Sequence, residues 1–262
     1  MLLRVLIVDD SILFRQAVTA ALSGIPDIEI VGTAANGQIA LSRIKSLRPD
    51  ILTLDLEMPE MNGLEVLNAI KTEGLDVGAI LLSCLTVRGG DLTIKGLELG
   101  AFDYVTKPDG GSAEENTLYL RRALEPLLKA FSRQREIRKI LHGGRPIIAP
   151  TAAPKLVTLT TPATHLPPSH LVSIPGRRSE ALAIGISTGG PTALISVMTA
   201  LPATLKIPVF IVQHMPAFFT TSLANNLNAR CAFRVKEAEN GEMVTPDTAY
   251  IAPTALPRTA RS

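Results

Sequence analysis

Ile-Leu-Thr-Leu-Asp-Leu-Glu-Met-Pro-Glu-Met-Asn-Gly, residues 51–63, decides the reading of the first half of the chain. A short apolar run ends in an acid, Asp55, and a turn leads to Gly63, where a helical pattern begins. A run this short and this apolar reads as a buried strand. The same unit recurs on both sides. Apolar runs at 4–8, 28–33, 51–54, 79–83 and 102–105 alternate with helical patterns at 12–23, 37–47, 63–72, 90–99 and 113–133. Strand-then-helix alternation predicts a doubly wound α/β domain on a five-stranded parallel sheet. The carboxyl ends of such strands carry the ligand site. Gly63 and Gly100 punctuate element ends, and Pro126 is expected to bend the last helical pattern or start a new segment.

The strand ends carry matched chemistry. Asp9 and Asp10 close the first strand, Asp55 the third, Ser83 the fourth and Lys107 the fifth. Parallel strands bring these carboxylates together at one sheet edge, where their repulsion calls for a cation. Hard oxygen ligands in this number suit Mg²⁺. Lys107 reaches the same pocket, and Ser83 offers a hydroxyl to a phosphoryl oxygen. A single acid at a strand end is ordinarily a cap or a solvated loop residue, but four strand ends supplying the required types form a joint signal.

Residues 1–125 resemble a response-regulator receiver domain. The resemblance implies that Asp55 accepts phosphate from a chemotaxis histidine kinase. It implies Mg²⁺ held by Asp9, Asp10, Asp55 and the backbone carbonyl of Glu57. It makes Ser83 the switch hydroxyl, Tyr104 the switch aromatic and Lys107 the family's lysine. An acyl phosphate adds charge and acceptor oxygens that can rearrange a neighbouring surface.

Residues 131–142 are basic and helix-compatible, and 143–178 are rich in Pro, Thr and Ala, with Pro167 and Pro168 adjacent. Such composition cannot offset chain entropy by burial and reads as a semi-extended linker, giving a middle segment of 126–179. A second α/β pattern occupies 180–262. Strand 181–186 leads to Ser187 and a helix at 191–200; strand 207–213 leads to His214 and a helix at 217–229; shorter runs at 233–235 and 249–252 are further strands.

Gly185-Ile186-Ser187-Thr188-Gly189 fits a strand-to-helix elbow that exposes a serine nucleophile. The N–H groups of Thr188 and Gly189 lie where an oxyanion would develop, with Pro191 in the first helical turn. His214, at the end of the next strand, is placed to act as general base. The plainer alternatives are a Gly-rich turn and a strand-end core histidine. An α/β-hydrolase would place an acid between serine and histidine, but residues 188–213 contain no Asp or Glu. An orienting acid must follow His214; Glu237, Glu239, Glu242 and Asp247 stand there.

Residues 181–252 resemble the start of the chemotaxis protein-glutamate methylesterase domain. The resemblance is carried by Gly-Ile-Ser-Thr-Gly-Gly-Pro, Val-Gln-His-Met-Pro, Val-Lys-Glu-Ala-Glu-Asn-Gly-Glu and Tyr-Ile-Ala-Pro. It implies an incomplete Rossmann-like esterase domain that hydrolyses glutamate methyl esters, and deamidates glutamines, on methylated chemoreceptors without a cofactor. Ser187 and His214 match two members of the family's triad. The third is an aspartate in a Gly-Met-Gly-x-Asp-Gly segment that this sequence lacks, and residues 254–262 match nothing, so the expectation is a C-terminally truncated chain with little esterase activity. The rival is a non-catalytic receiver protein that serves as phosphoacceptor or docking module.

Composition narrows the remaining classes. The 262 residues suffice for two modest domains, and 46% hydrophobic content supplies a core. A net charge of +2 gives no reason to expect nucleic acid or an anionic membrane as partner. Cys84 and Cys231 form no CxxC pair and read as reduced thiols. The N-terminus lacks a signal-peptide layout and no run approaches a membrane span, so a cytoplasmic location is expected.

Overall fold

The computed structural model describes residues 2–142, 179–203 and 205–253. The expected linker at 143–178 and residues 254–262 lie outside them. The first region runs β1 (Leu3–Val8), α1 (Ile12–Ser23), β2 (Ile28–Ala34), α2 (Gly37–Leu47), β3 (Ile51–Asp55), α3 (Gly63–Glu73), β4 (Gly78–Ser83), α4 (Val87–Glu98), β5 (Asp103–Thr106) and α5 (Ala113–His142). Its five strands are all parallel, in the order β2-β1-β3-β4-β5.

The period-2 alternation of strand side chains sorts the core into two layers. Leu6, Val8, Leu52, Leu54 and Leu81 face α2, α3 and α4, while Val5, Ile7, Ile51, Ile80 and Leu82 face α1 and α5. Burial on both faces explains why these strands read as continuous apolar runs.

Local signals set the helix limits. Ser11, Asn36 and Thr86 each accept a backbone N–H three residues on, capping α1, α2 and α4. Asn62 and Glu65 form a reciprocal capping box on α3. Helix α4 starts at Val87, three residues before the expected 90, because the Thr86 cap outweighs the poor helix propensity of Gly89 and Gly90.

Pro126 neither ends α5 nor starts a new segment, and the basic stretch 131–142 continues the same helix. The buried stripe Leu120, Leu124, Leu127 and Leu128 anchors the helix on both sides of the proline, which itself faces solvent. Water can then satisfy the carbonyl that loses its donor.

The second region runs β6 (Leu182–Ile186), α6 (Gly190–Ala200), β7 (Val209–Gln213), α7 (Ala217–Asn228), β8 (Arg234–Glu237) and β9 (Thr248–Ile251). Its sheet is also parallel, in the order β6-β7-β9-β8. α6 and α7 cover one face, and their buried residues Leu194, Met198, Phe219 and Leu223 continue the apolar layer that begins under α4. No helix among the described residues is long and apolar enough to cross a membrane.

Candidate functional sites

The first site is built by four adjacent strand ends, those of β1, β3, β4 and β5. β1 lies between β2 and β3, and β4 and β5 follow in order, so Asp9, Asp55, Ser83 and Lys107 converge at one edge. Lys107 Nζ stands 2.7 Å from Asp9 Oδ2 and 2.8 Å from Asp55 Oδ2. It also lies 4.6 Å over the Phe14 ring. Asp9 and Asp55 are buried and Asp10 is exposed. One carboxylate oxygen from each of the three lies within 4.8 Å of the others. This hard, acidic oxygen set fits Mg²⁺. Ser11 N–H donates to Asp9 Oδ1, and Glu57 N–H donates to Asp55 Oδ1 at 3.3 Å.

Burial pushes the Asp55 carboxyl up to about 6, against the lowering pull of Lys107. Burial opposes the charge on Lys107, but Asp55 and Asp9 outweigh it and hold the ammonium above its usual value. Ser83 Oγ donates to the Gly89 carbonyl at 3.1 Å, so its hydroxyl is tied to the first turn of α4. Tyr104 packs on Phe219 of α7, with ring centroids 5.1 Å apart.

The second site lies at the carboxyl ends of β6 and β7. Ile186 pairs with Gln213, which places the next residues, Ser187 and His214, at adjoining strand ends. Both are exposed. The buried Gln213 amide links the two turns, with Nε2 3.4 Å from the Ser187 carbonyl and 3.4 Å from that of His214. Gly190 N–H donates to the Ser187 carbonyl at 2.7 Å. Gly189 caps α6 in the left-handed region at φ 69°, a conformation that glycine adopts without strain. Beside Gly190 there is no room for a side chain, since a Cβ there would come 2.4 Å from Gln213 Oε1.

The four candidate acids are engaged elsewhere. Glu237 accepts hydrogen bonds from the Thr220 and Thr221 hydroxyls. Glu239 and Glu242 pair with Lys236, and Asp247 accepts the Lys206 N–H. Sequence reasoning missed Gln213, and it missed Asp103, whose buried Oδ2 accepts the Gly189 N–H at 2.7 Å. Asp103 and Gly189 are 86 residues apart, so no local pattern announces the contact.

A phosphoacceptor-type carboxylate pocket joined to a serine elbow defines a response regulator carrying a hydrolase-type second region. Residues 5–114 match the response regulator receiver domain family, and residues 182–257 match the CheB methylesterase family. The protein-glutamate methylesterase/protein-glutamine glutaminase of Desulfotalea psychrophila is 45% identical over 251 residues, covering 96% of this chain and 67% of that protein. The protein of the same description from Nocardioides sp. is 44% identical over 252 residues, covering 96% of this chain and 65% of that one. The solved response regulator domain of Thermotoga maritima CheB is 36% identical, with a TM-score of 0.43, covering 51% of this chain and 96% of that one. The chain belongs to the protein-glutamate methylesterase/protein-glutamine glutaminase family. It spans about two thirds of the length of the curated relatives it matches.

Proposed function

We propose that the chain is a phosphorylation-regulated chemotaxis methylesterase. In this reading residues 1–125 form its receiver, 126–179 a helical extension and linker, and 180–262 the first part of its esterase domain. The observation that carries the reading is Lys107 bridging Asp9 and Asp55 beside a third carboxylate. Asp55 attacks the phosphorus of a phosphohistidine on a cytoplasmic histidine kinase. The P–N bond breaks and an acyl phosphate forms on Asp55. Asp9, Asp10, Asp55 and the Glu57 carbonyl would hold Mg²⁺, which when bound would neutralise charge on the incoming phosphoryl group. Lys107 pairs with a phosphoryl oxygen, and Ser83 exchanges the Gly89 carbonyl for another.

At the second site His214 removes the Ser187 proton and the alkoxide attacks a glutamate methyl ester on a chemoreceptor. N–H groups of Thr188 and Gly189 hold the oxyanion, methanol leaves, and water cleaves the acyl-enzyme. A receptor glutamine reacts by the same route with loss of ammonia.

Each of the four candidate acids that follow His214 is bonded to another group, so turnover is expected on the order of 10⁴ below that of a complete triad. Methanol release from methylated receptor tests this reading. Trace release that vanishes in Ser187→Ala supports it, and release that persists unchanged in Ser187→Ala would overturn it.

A further inference from the structure

Gln213 takes no part in the chemistry proposed above, yet it is an amide only 4% exposed at the carboxyl end of β7. It pairs with Ile186 on β6, so each of the two stands directly before one residue of the site, His214 or Ser187. Side chains alternate along a strand, and the alternation turns Gln213 inward with the buried Val209 and Ile211. A polar group in such a row is costly unless it is bonded. Ser187 and His214, one residue further along each chain, remain exposed.

A side-chain amide carries two N–H donors on one nitrogen and an acceptor oxygen. Nε2 of Gln213 lies 3.4 Å from the Ser187 carbonyl and 3.4 Å from the His214 carbonyl, so one hydrogen can serve each turn. The reversed amide would set its oxygen against two carbonyl oxygens. Oε1 is buried and meets no hydrogen-bond donor among the described residues. It lies against Gly190, where a Cβ would come 2.4 Å away. Gly190 N–H in turn donates to the same Ser187 carbonyl at 2.7 Å. The Ser187 carbonyl is thereby held from two sides, by the first turn of α6 and by β7. An unpaired buried acceptor lowers stability, so packing alone does not account for an amide here.

We infer that Gln213 is a positioning residue, which aligns Ser187 with His214 by clamping the backbone carbonyls of both turns. This rests on the proposed reading of Ser187 as nucleophile and His214 as its base. A serine gives up its proton only within hydrogen-bond reach of the imidazole, and small misplacements of reacting groups cost rate steeply. In a complete triad an acid orients the imidazole. The four candidate acids of this chain bond to other groups, so the amide that joins the two turns carries more of the alignment.

Labelling of Ser187 in the full chain by a serine-directed fluorophosphonate tests the inference. Ser187 Oγ attacks the phosphorus, its proton passes to His214, and the P–F bond breaks with loss of fluoride. Gln213→Met keeps the length of the side chain and removes both donors. It is expected to lower the labelling rate constant about tenfold or more, while the final labelled fraction stays that of the parent. A fold defect would instead lower the labelled fraction and leave the rate of the remainder unchanged. Gly190→Ala drives a methyl group toward Oε1 and removes no polar group. It is expected to slow labelling likewise, and it decides the case if the Met variant does not fold.

Amide hydrogen exchange at Gly190, followed by NMR in the same samples, reads the clamp apart from the chemistry. It is expected to speed up about tenfold or more in Gln213→Met, because the Ser187 carbonyl that accepts this N–H is freed to move. An unchanged labelling rate in a variant that keeps the parent's labelled fraction, or unchanged Gly190 exchange in Gln213→Met, would overturn the inference. A parent that takes no label, with Gly190 exchange still faster in Gln213→Met, would leave the clamp standing and sink the nucleophile reading. Equal labelling rates in the parent and both variants would do the reverse.

Discussion

The two sheets of this protein are both parallel, but they are finished differently. In the first, β3 is buried along its whole length and helices cover both faces. In the second, β6 and β7 alternate: Val209, Ile211 and Gln213 are buried, while Phe210 and Val212 are 37% and 61% exposed. Parallel sheets ordinarily have both faces covered. Among the described residues, α6 and α7 cover only one face here. The difference maps onto the chemistry. The doubly covered sheet holds carboxylates and a lysine in mutual contact, whereas the singly covered sheet presents an exposed serine and histidine while the candidate acids bond to other groups.

Core truncation should break the comparison most sharply. Leu54→Ala, at a fully buried position in β3, is expected to lower unfolding free energy by about 2–5 kcal/mol in denaturant titration. Val212→Ala, on the open face of β7, is expected to stay within about 0.5 kcal/mol. A large loss from Val212→Ala would mean that the open face is covered in solution.

The carboxylate site gives the next effect. The Asp55 pKa rises on folding from 3.8 to about 6, so the folded state binds the proton more tightly than the unfolded one. Its contribution to stability is therefore present below pH 3.8 and is lost as pH rises to about 6, a change on the order of 3 kcal/mol. Mg²⁺ is expected to restore that loss, raising the melting temperature at pH 7.5 and hardly at all at pH 5. An equal Mg²⁺ effect at both pH values would remove the metal from this cluster.

The junction gives a smaller effect. Gly90→Val places side-chain atoms against Phe219 and Ser222. It is expected to weaken docking of the second region by about 1–3 kcal/mol and to raise amide exchange in α7 while β3 stays protected. Parallel loss of protection in β3 would mean that the two regions open as one.

Much of this was legible in the chain. The bounds of α1 and α2 follow from the helical patterns at 12–23 and 37–47, and the structure closes their starts with Ser11 and Asn36, because a cap is a local event. The strand-end residues of the first site were legible because a parallel sheet converts strand order into proximity. What escaped depends on distant partners. Continuation of α5 through Pro126 depends on a leucine stripe bound to α1 and the sheet. Asp103 reads as a polar residue at a strand start, and its meaning comes only from Gly189. Gln213 reads as part of a strand end, and its bridging of two turns emerges only when β6 and β7 pair.

The central claim is that the phosphoacceptor chemistry is complete within the first sheet. Incubation of the full chain with a small phosphodonor and Mg²⁺, followed by quantification of acid-stable, base-labile acyl phosphate, tests it most directly. Mg²⁺-dependent labelling that disappears in Asp55→Asn is the predicted result. Labelling at an unchanged level in Asp55→Asn would contradict it.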